Sequence, residues 1–392
     1  MPKRAKTRDS SSHHDNSPIS TKRVRYVPFA RGFKPRNENA RMRAAGYNML
    51  RDVPLEYSVG TYWNQSLSMF QEFFNPVPHP TCQDDWLAQY DEDGQTFKQF
   101  LEENPWLSSR KIRNIRQKFN SKGTTICQKY PQGKVYILQL GKFDQCIKFS
   151  DLVDYASCFL CLPVSPLPPL DLEVTDGNVI LVDDSISRSN NRQQNHIRRT
   201  KLNARYNAKA GHVQLRVDSV LKILQQLIPA DALCLIALTT LDLYGDASDL
   251  FVAGMASGNQ RVAVFSLLRY DPTLVFSKEH WYDLQTASKP MQLEAKSSLL
   301  LQRSCKLVVH EVMHLLGVDH CIFYTCCMNG SGHLAEDFHQ PMHLCPVDLH
   351  KMHKLVGFDI RDRYKMLLEF YNKHSFKEEA QWVQKRLEYL SK

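Results

Sequence analysis

The chain has 392 residues, of which 43% are hydrophobic and 23% are charged, values that are ordinary for a globular protein. No stretch reaches the roughly 18 consecutive apolar residues of a membrane span, so we expect a soluble protein without a membrane partner. The net charge of +9 comes from residues 1–43, which contain 12 Lys or Arg and three acidic residues. Because the remainder is balanced, no positive field directs the folded part toward nucleic acid.

Residues 1–50 are rich in Ser, Asn, Arg and Pro and poor in apolar residues, which predicts a disordered basic tail. Any nucleic-acid contact is expected from this tail alone. The tail carries no apolar run of a secretory signal, so we expect residence in the cytosol or nucleus. In those compartments the 11 cysteines should be reduced, and their clustering then favours metal binding or catalysis over disulfides.

The first half of the chain predicts helices that lead into a sheet. Apolar and aromatic residues at helical spacing predict a helical N-terminal region over residues 51–133, including Ser108–Phe119. Lys134–Gly141 is β-branched and aromatic and ends in glycine, which predicts a strand. The sequence from Phe149 to Leu162 predicts an amphipathic helix. Residues 184–211 are polar and aperiodic, so we predict a surface insertion there.

Helices and strands alternate after the insertion. We predict a helix over Val213–Ile228 and strands over Asp231–Tyr244, Leu250–Ser257 and Gln260–Tyr270. A long helix over Glu294–Gly317 follows. Three further helical patterns make a mainly helical C-terminal subdomain from about residue 321. The order predicts an α+β fold with a mixed sheet, and residues 134–392 are predicted to form the main domain.

The long helix ends in "HEVMHLLGVDH", from His310 to His320. His310 and His314 are four residues apart, so a helix presents both imidazoles on one face. Gly317 can turn the chain back in the left-handed conformation, and His320 then supplies a third ligand. This pattern should arise by chance in fewer than about one in ten thousand chains of this size.

Three histidines with one open position are typical of a catalytic zinc, whereas a structural zinc takes four protein ligands. Glu311 follows the first histidine and can take a proton from a water bound to the same metal. The sequence therefore predicts zinc on His310, His314 and His320, with Glu311 as the catalytic base.

The motif resembles the extended zinc signature of the metzincin metallopeptidases, which implies a metzincin-like fold with an active-site helix. The resemblance also implies a methionine turn beneath the metal, and Met328 has the matching position. The pattern "HCIFYTCCM" followed by "CPVD" is similar to that of the archaemetzincins. That family has a second, structural zinc held by four cysteines, three of which match Cys321, Cys326 and Cys345 here.

The fourth cysteine of the family pattern is replaced by Asp348. An aspartate can bind zinc through oxygen, so a site of three cysteines and one aspartate is chemically reasonable. Cys327 and His350 are nearby substitutes for this ligand, and loss of the second zinc is a further alternative. The sequence leaves these alternatives open.

The resemblance implies that an edge strand above the metal pairs with an extended peptide substrate. The matching segment is Val252, Ala253, Gly254, Met255 and Ala256. The expected function is zinc-dependent hydrolysis of a peptide or protein substrate, of aminopeptidase type by resemblance, in a monomeric protein.

The alternative is a catalytically weak, zinc-stabilised protein-interaction module. Retained Glu311 argues against this alternative, because a binding module has no need of a catalytic base. Residues 51–133 are also compatible with a regulatory cap, and a cysteine switch in it would have to use Cys82.

Overall fold

The computed structural model describes the parts of the chain that form and surround a mixed sheet. The described residues are 25–26, 33–46, 73–143, 145–175, 177–183, 198–208, 211–275, 285–286 and 290–391. Within these ranges, no helix is both long and apolar enough to pass through a bilayer.

The helices are, in chain order, α1 (Glu38–Ala44), α2 (Trp86–Gln89), α3 (Phe97–Glu103), α4 (Ile126–Lys129), α5 (Phe149–Leu160), α6 (Val217–Leu227), α7 (Leu293–Leu315), α8 (Leu334–His339), α9 (Pro346–Val356), α10 (Ile360–Lys373) and α11 (Lys377–Leu390). The strands are β1 (Arg25–Tyr26), β2 (Tyr90–Asp91), β3 (Lys134–Leu140), β4 (Val164–Pro166), β5 (Asp171–Thr175), β6 (Asn178–Asp183), β7 (Arg198–Leu202), β8 (Ala204–Asn207), β9 (His212–Arg216), β10 (Ala232–Thr239), β11 (Asp242–Tyr244), β12 (Gly254–Ser257), β13 (Val262–Ser266), β14 (Leu274–Val275) and β15 (Gln285–Thr286).

The main sheet has five strands in the order β12-β13-β10-β3-β4. The strand β10 pairs in parallel with both β13 and β3, whereas β12 is antiparallel to β13 and forms one edge. All eight residues of β10 are buried, which explains its continuous apolar sequence. The predicted α+β fold with a mixed sheet is confirmed.

Successive residues of the central strands point into two different cores, as the strand period requires. On β10, Ile236 packs with the helices α5 and α7, whereas Leu235 packs against α6 on the opposite face. The helix α7, which contains the histidine motif, therefore lies on a buried face of the sheet. The predicted helical C-terminal region is also confirmed, since α9, α10 and α11 follow one another there.

Several local predictions were wrong. Residues 212–216 form the strand β9 rather than the start of a helix, because the alternation of Val213, Leu215 and Val217 suits a strand as well as the helical stripe. Ser108–Phe119 is irregular, and Lys111 and Ile112 are fixed by side-chain hydrogen bonds to Gln117 and Tyr130.

Two predicted polar segments contain regular structure. Within the predicted tail of residues 1–50, residues 33–46 include α1, where Asn37 caps the helix and Ala44 and Ala45 are buried. Within the predicted insertion of residues 184–211, Arg198–Leu202 and Ala204–Asn207 are strands paired with β6 and β9. Of the predicted tail, helical N-terminal region and insertion, residues 1–24, 27–32, 47–72, 184–197 and 209–210 lie outside the described residues.

Candidate metal centres

The histidines predicted to bind zinc come together at the end of α7. The Nε2 atoms of His310 and His314 are 3.0 Å apart. Gly317 has φ of +86°, so a residue with a side chain would be strained at this turn. The turn brings the His320 ring to 4.8 Å from the His314 ring, between centroids. One ligand atom from each of the three histidines lies within 4.8 Å of the others.

Each of these imidazoles directs its Nδ1 toward an oxygen acceptor. His310 donates to the carbonyl of Cys327 at 2.8 Å, and His314 donates to that of Val318 at 2.7 Å. His320 donates to Oε1 of Glu92 at 3.1 Å. A neutral imidazole that donates through Nδ1 has a lone pair on Nε2, as a metal ligand requires. The three histidines therefore fit a zinc ion.

Burial keeps two of these imidazoles neutral. It lowers the pKa of His310 to about 3 and holds the pKa of His314 well below its usual value. Burial acts in the same direction on His320, but the Glu92 carboxylate outweighs it and raises the pKa of His320. Glu311 and Asp319 act on His320 in the same direction as Glu92, and Glu92 is the one of the three that hydrogen-bonds to its ring.

The three histidines line a cavity of about 300 Å³ together with Glu311. Burial raises the pKa of Glu311 to about 8, and the neighbouring His320 opposes this rise. A cation held by the histidines would favour the ionised carboxylate further. The site therefore combines a set of three nitrogen donors, a carboxylate and enough space for a substrate group.

The predicted substrate strand forms one wall of this cavity. Ala253, Gly254, Met255 and Ala256 line it, and β12 is the exposed edge of the main sheet. Val252 is not among the residues that line the cavity: its amide donates to the carbonyl of Leu243 and its side chain is buried. Binding of a peptide along this strand stays a prediction.

Met328, the residue predicted for the methionine turn, lies in a turn and is fully buried. Its carbonyl accepts the amide of Cys321 at 2.8 Å. The preceding residue, Cys327, supplies the carbonyl that orients His310. The turn around Met328 thus connects the histidine cluster to the first cysteine of the second cluster.

The second cluster contains Cys321, Cys326, Cys345 and Asp348, all of them buried. The Sγ atoms of Cys321 and Cys345 are 3.5 Å apart. Oδ2 of Asp348 lies 3.2 Å from Sγ of Cys326. Zinc–sulfur bonds of about 2.3 Å in a tetrahedral site put sulfur atoms somewhat under 4 Å apart, so these four side chains fit a closed zinc site.

Asp348 uses its two oxygens differently. Oδ2 faces the cysteines, whereas Oδ1 accepts from Nζ of Lys351 at 2.8 Å. Both side chains of this ion pair are fully buried. Neither sequence-based substitute joins the cluster: Cys327 is absent from the group, and Nδ1 of His350 hydrogen-bonds to the carbonyl of Ala45. Of the three candidates for a fourth ligand, Asp348 is the one that lies with the cysteines.

A third group, which the sequence did not suggest, consists of Cys82, Asp85 and His333. Here Nδ1 of His333 accepts the amide of Glu336, so Nε2 carries the proton and donates to Oδ1 of Asp85 at 3.0 Å. This tautomer is the opposite of that in the histidine cluster and does not suit a metal. The group is a hydrogen-bond network, in which the Cys82 thiol also donates to Asp85.

Cys82 lines a separate cavity of about 510 Å³. It is absent from the described residues that line the histidine cavity. A cysteine switch through Cys82, which the sequence had left open, has no support in this geometry.

Sequence comparison finds relatives among the archaemetzincins. Human archaemetzincin-2 is 34% identical over 192 residues, which cover 45% of this chain and 51% of the relative. Mouse archaemetzincin-1 is 32% identical over 167 residues, which cover 40% of this chain and 33% of the relative. The chain thus matches about half the length of the first of these relatives and a third of the second. No protein-family model matches the chain.

Structure comparison finds archaeal proteins with low overall similarity. The archaemetzincin from Archaeoglobus fulgidus, in complex with malonate, is 20% identical with a TM-score of 0.34, covering 56% of this chain and 99% of that one. The archaemetzincin from Methanopyrus kandleri is 19% identical with the same TM-score, covering 56% of this chain and 94% of that one. In sequence, this chain is thus similar to the archaemetzincins over about half the length of the human and rat archaemetzincin-2 proteins.

Proposed function

We propose that this protein is a zinc-dependent metallopeptidase that hydrolyses peptide or protein substrates. The observation that carries the proposal is the convergence of the three imidazoles of His310, His314 and His320 beside Glu311, in a cavity that is also lined by the edge strand β12. Zinc at His310, His314 and His320 would supply an activated water and would polarise a carbonyl. The similarity of this chain to archaemetzincins agrees with this chemistry.

The chain's own residues have distinct roles in this proposal. The backbone of β12 binds an extended peptide by strand addition. Met255 and Ala256 of this strand line the histidine cavity, so the bond to be cleaved would lie next to them. Glu311 accepts a proton from the attacking water and passes it to the leaving amine. The Glu311 carboxylate is half-buried, and its partly desolvated position strengthens its electrostatic interactions.

The experiment is cleavage of a mixed peptide library by the full chain, with products identified by mass spectrometry. Cleavage that a chelator abolishes and that added zinc restores supports the proposal. No cleavage, or cleavage that persists in Glu311→Gln, would contradict it and would favour a zinc-stabilised interaction module.

We further propose that the enzyme acts on free N-termini. The histidine cavity contains a second carboxylate, Asp337, whose Oδ2 accepts from the Tyr270 hydroxyl at 2.5 Å. A carboxylate in the cavity is suited to bind the ammonium group of an N-terminus. Peptides with a free N-terminus should then be cleaved faster than their N-acetylated forms. Equal rates for the two forms would contradict this finer proposal.

The second cluster supports a structural zinc, and we propose that it is held by three thiolates and Oδ2 of Asp348. Burial raises the pKa of Asp348 to about 6, and Lys351 opposes this rise. The lysine also offsets part of the negative charge of three thiolates and a carboxylate around one zinc ion. The buried pair of Asp348 and Lys351 therefore suits an ionised aspartate at this position.

A further inference from the structure

The N-terminal region contacts the end of the active-site helix. Trp106 Nε1 donates to the carbonyl of Leu315 at 3.1 Å, and Asn104 Nδ2 donates to that of Leu316 at 2.8 Å. Gln95 Nε2 donates to the carbonyl of Gly317 at 3.2 Å. The last carbonyls of a helix have no partner within the helix, so these side chains complete its C-terminal end. Residues 95–106 are thus part of the structure that holds the turn before His320.

Glu92 extends this contact to the metal-binding histidine itself. Its Oε1 accepts from Nδ1 of His320 at 3.1 Å and from Nε1 of Trp86 at 2.8 Å. The Glu92 side chain is only 11% exposed. The Trp86 ring packs edge-on against the His320 ring, with 5.4 Å between centroids. Two donors and an aromatic wall therefore fix the carboxylate beside the imidazole.

The three histidines differ in what orients them. His310 and His314 donate to backbone carbonyls, whereas His320 donates to a carboxylate supplied from more than 200 positions earlier in the chain. A carboxylate behind a ligating histidine fixes the ring orientation and raises the basicity of the nitrogen that faces the metal. His320 also lies beyond the end of the helix and its glycine turn, where the helix itself no longer sets its position.

We propose that Glu92 is a positioning residue for the third histidine, so that the N-terminal region forms part of the catalytic metal centre. The inference rests on the proposed zinc at the histidines but not on peptide hydrolysis. It implies that residues 86–106 raise zinc affinity at one of the two proposed sites. If the N-terminal region were instead a regulatory cap that moves away from the site, His320 would lose its hydrogen bond to Glu92.

The test is the zinc affinity of Glu92→Gln, measured on the full chain by competition with a chromogenic chelator. Glutamine keeps an oxygen acceptor but removes the charge, so zinc at the histidines should bind about 10–100-fold more weakly. Glu92→Asp, which keeps the charge on a shorter side chain, should give a smaller loss. The matched control is Glu102→Gln, whose side chain is 60% exposed and pairs with Lys98, and the zinc affinity of this variant should be unchanged.

A second background separates the two sites. In a His310→Ala, His314→Ala protein, only zinc at the cysteine cluster is measured, and Glu92→Gln should have no effect on it. The proposal would be overturned if Glu92→Gln left the zinc affinity of the otherwise unaltered chain unchanged. It would also be overturned if Glu92→Gln weakened zinc binding equally in the double-alanine protein, or if both Glu92 variants were unfolded in the absence of zinc. If Glu92→Gln weakens zinc binding but the unaltered protein cleaves no peptide, the positioning role of Glu92 is supported and the proposed peptidase function is contradicted.

Discussion

The two proposed metal centres are adjacent in sequence but have opposite surroundings. His320 ends the histidine cluster, and Cys321 begins the cysteine cluster. The histidines are partly exposed and face a cavity, whereas the three cysteines and Asp348 are all buried. Three donors beside open space suit a reacting metal, and four enclosed donors suit a structural one. The comparison teaches that the access of substrate and water to the metal distinguishes a catalytic from a structural centre as much as the type of donor does.

Two hydrogen bonds connect the histidine cluster to the segment that contains the cysteines. The amide of Cys321 donates to the carbonyl of Met328, and the carbonyl of Cys327 orients His310. A metal in the cysteine cluster would fix both ends of this loop. The closed centre should therefore support the geometry of the open one, and the following predictions test how far the two can be separated.

The largest expected effect is at the open centre. Glu311→Gln removes the base but no zinc ligand, so the hydrolysis rate should fall by a factor on the order of 10²–10⁴ while zinc content is unchanged. Rates with a cleaved library peptide and zinc analysis of the same sample measure this. Glu294→Gln, at the exposed start of the same helix, is the control and should retain full activity.

The next effect is at the closed centre. Cys345→Ser should remove the second zinc and lower the free energy of unfolding by more than about 4 kcal/mol, because structural zinc binding contributes directly to folding. Denaturant unfolding with parallel zinc analysis measures both. Cys127→Ser, a half-buried thiol outside the clusters, should keep all bound zinc. A stable Cys345→Ser protein with undiminished zinc would argue against a closed zinc site.

Lys351→Met tests whether Asp348 is a ligand. Without zinc, the variant leaves an uncompensated buried carboxylate, which should cost about 3–5 kcal/mol of unfolding free energy. With zinc bound to Asp348, the metal compensates the charge, so the cost should be smaller. Unfolding curves of the zinc-loaded and zinc-free proteins give the difference. Equal costs in the two forms would show that Asp348 does not bind the metal.

The smallest effect concerns the strand beside the open centre. In Gly254→Ala, the added methyl group would lie 2.2 Å from Phe265 Cδ1 and 2.3 Å from the Val264 carbonyl oxygen. The edge strand must shift, at a cost of about 1–3 kcal/mol, and KM for peptides should rise. Gly258→Ala, which meets no atom within 4 Å, is the control. An unchanged KM in Gly254→Ala would contradict the proposal that β12 binds the substrate.

The sequence predicted those parts of the site that depend on short spacing. His310 and His314 share one helical face, and Gly317 at positive φ returns the chain to bring in His320. Asp348 could be named from its place in the cysteine pattern, but its pairing with Lys351 could not, because an i,i+3 charge pair is usually an exposed one.

Contacts between distant parts of the chain could not be predicted. Glu92 lies in the acidic stretch "DED", which is indistinguishable in sequence from a solvated loop, and its partner His320 is far away in the chain. Asn104 and Trp106 likewise read as part of a helical pattern, although they complete the end of α7. Local propensity carries no information on such tertiary contacts, which decide the irregular structure of the N-terminal region.

The most direct test of two distinct metal centres is the number of zinc ions per chain in the purified protein. We expect two in the unaltered chain, one in His310→Ala, His314→Ala, and one in Cys345→Ser. The remaining zinc should be released by chelator more slowly in the first variant than in the second, because only the cysteine cluster is enclosed. One zinc in the unaltered chain, or loss of both ions in the histidine variant, would contradict the account.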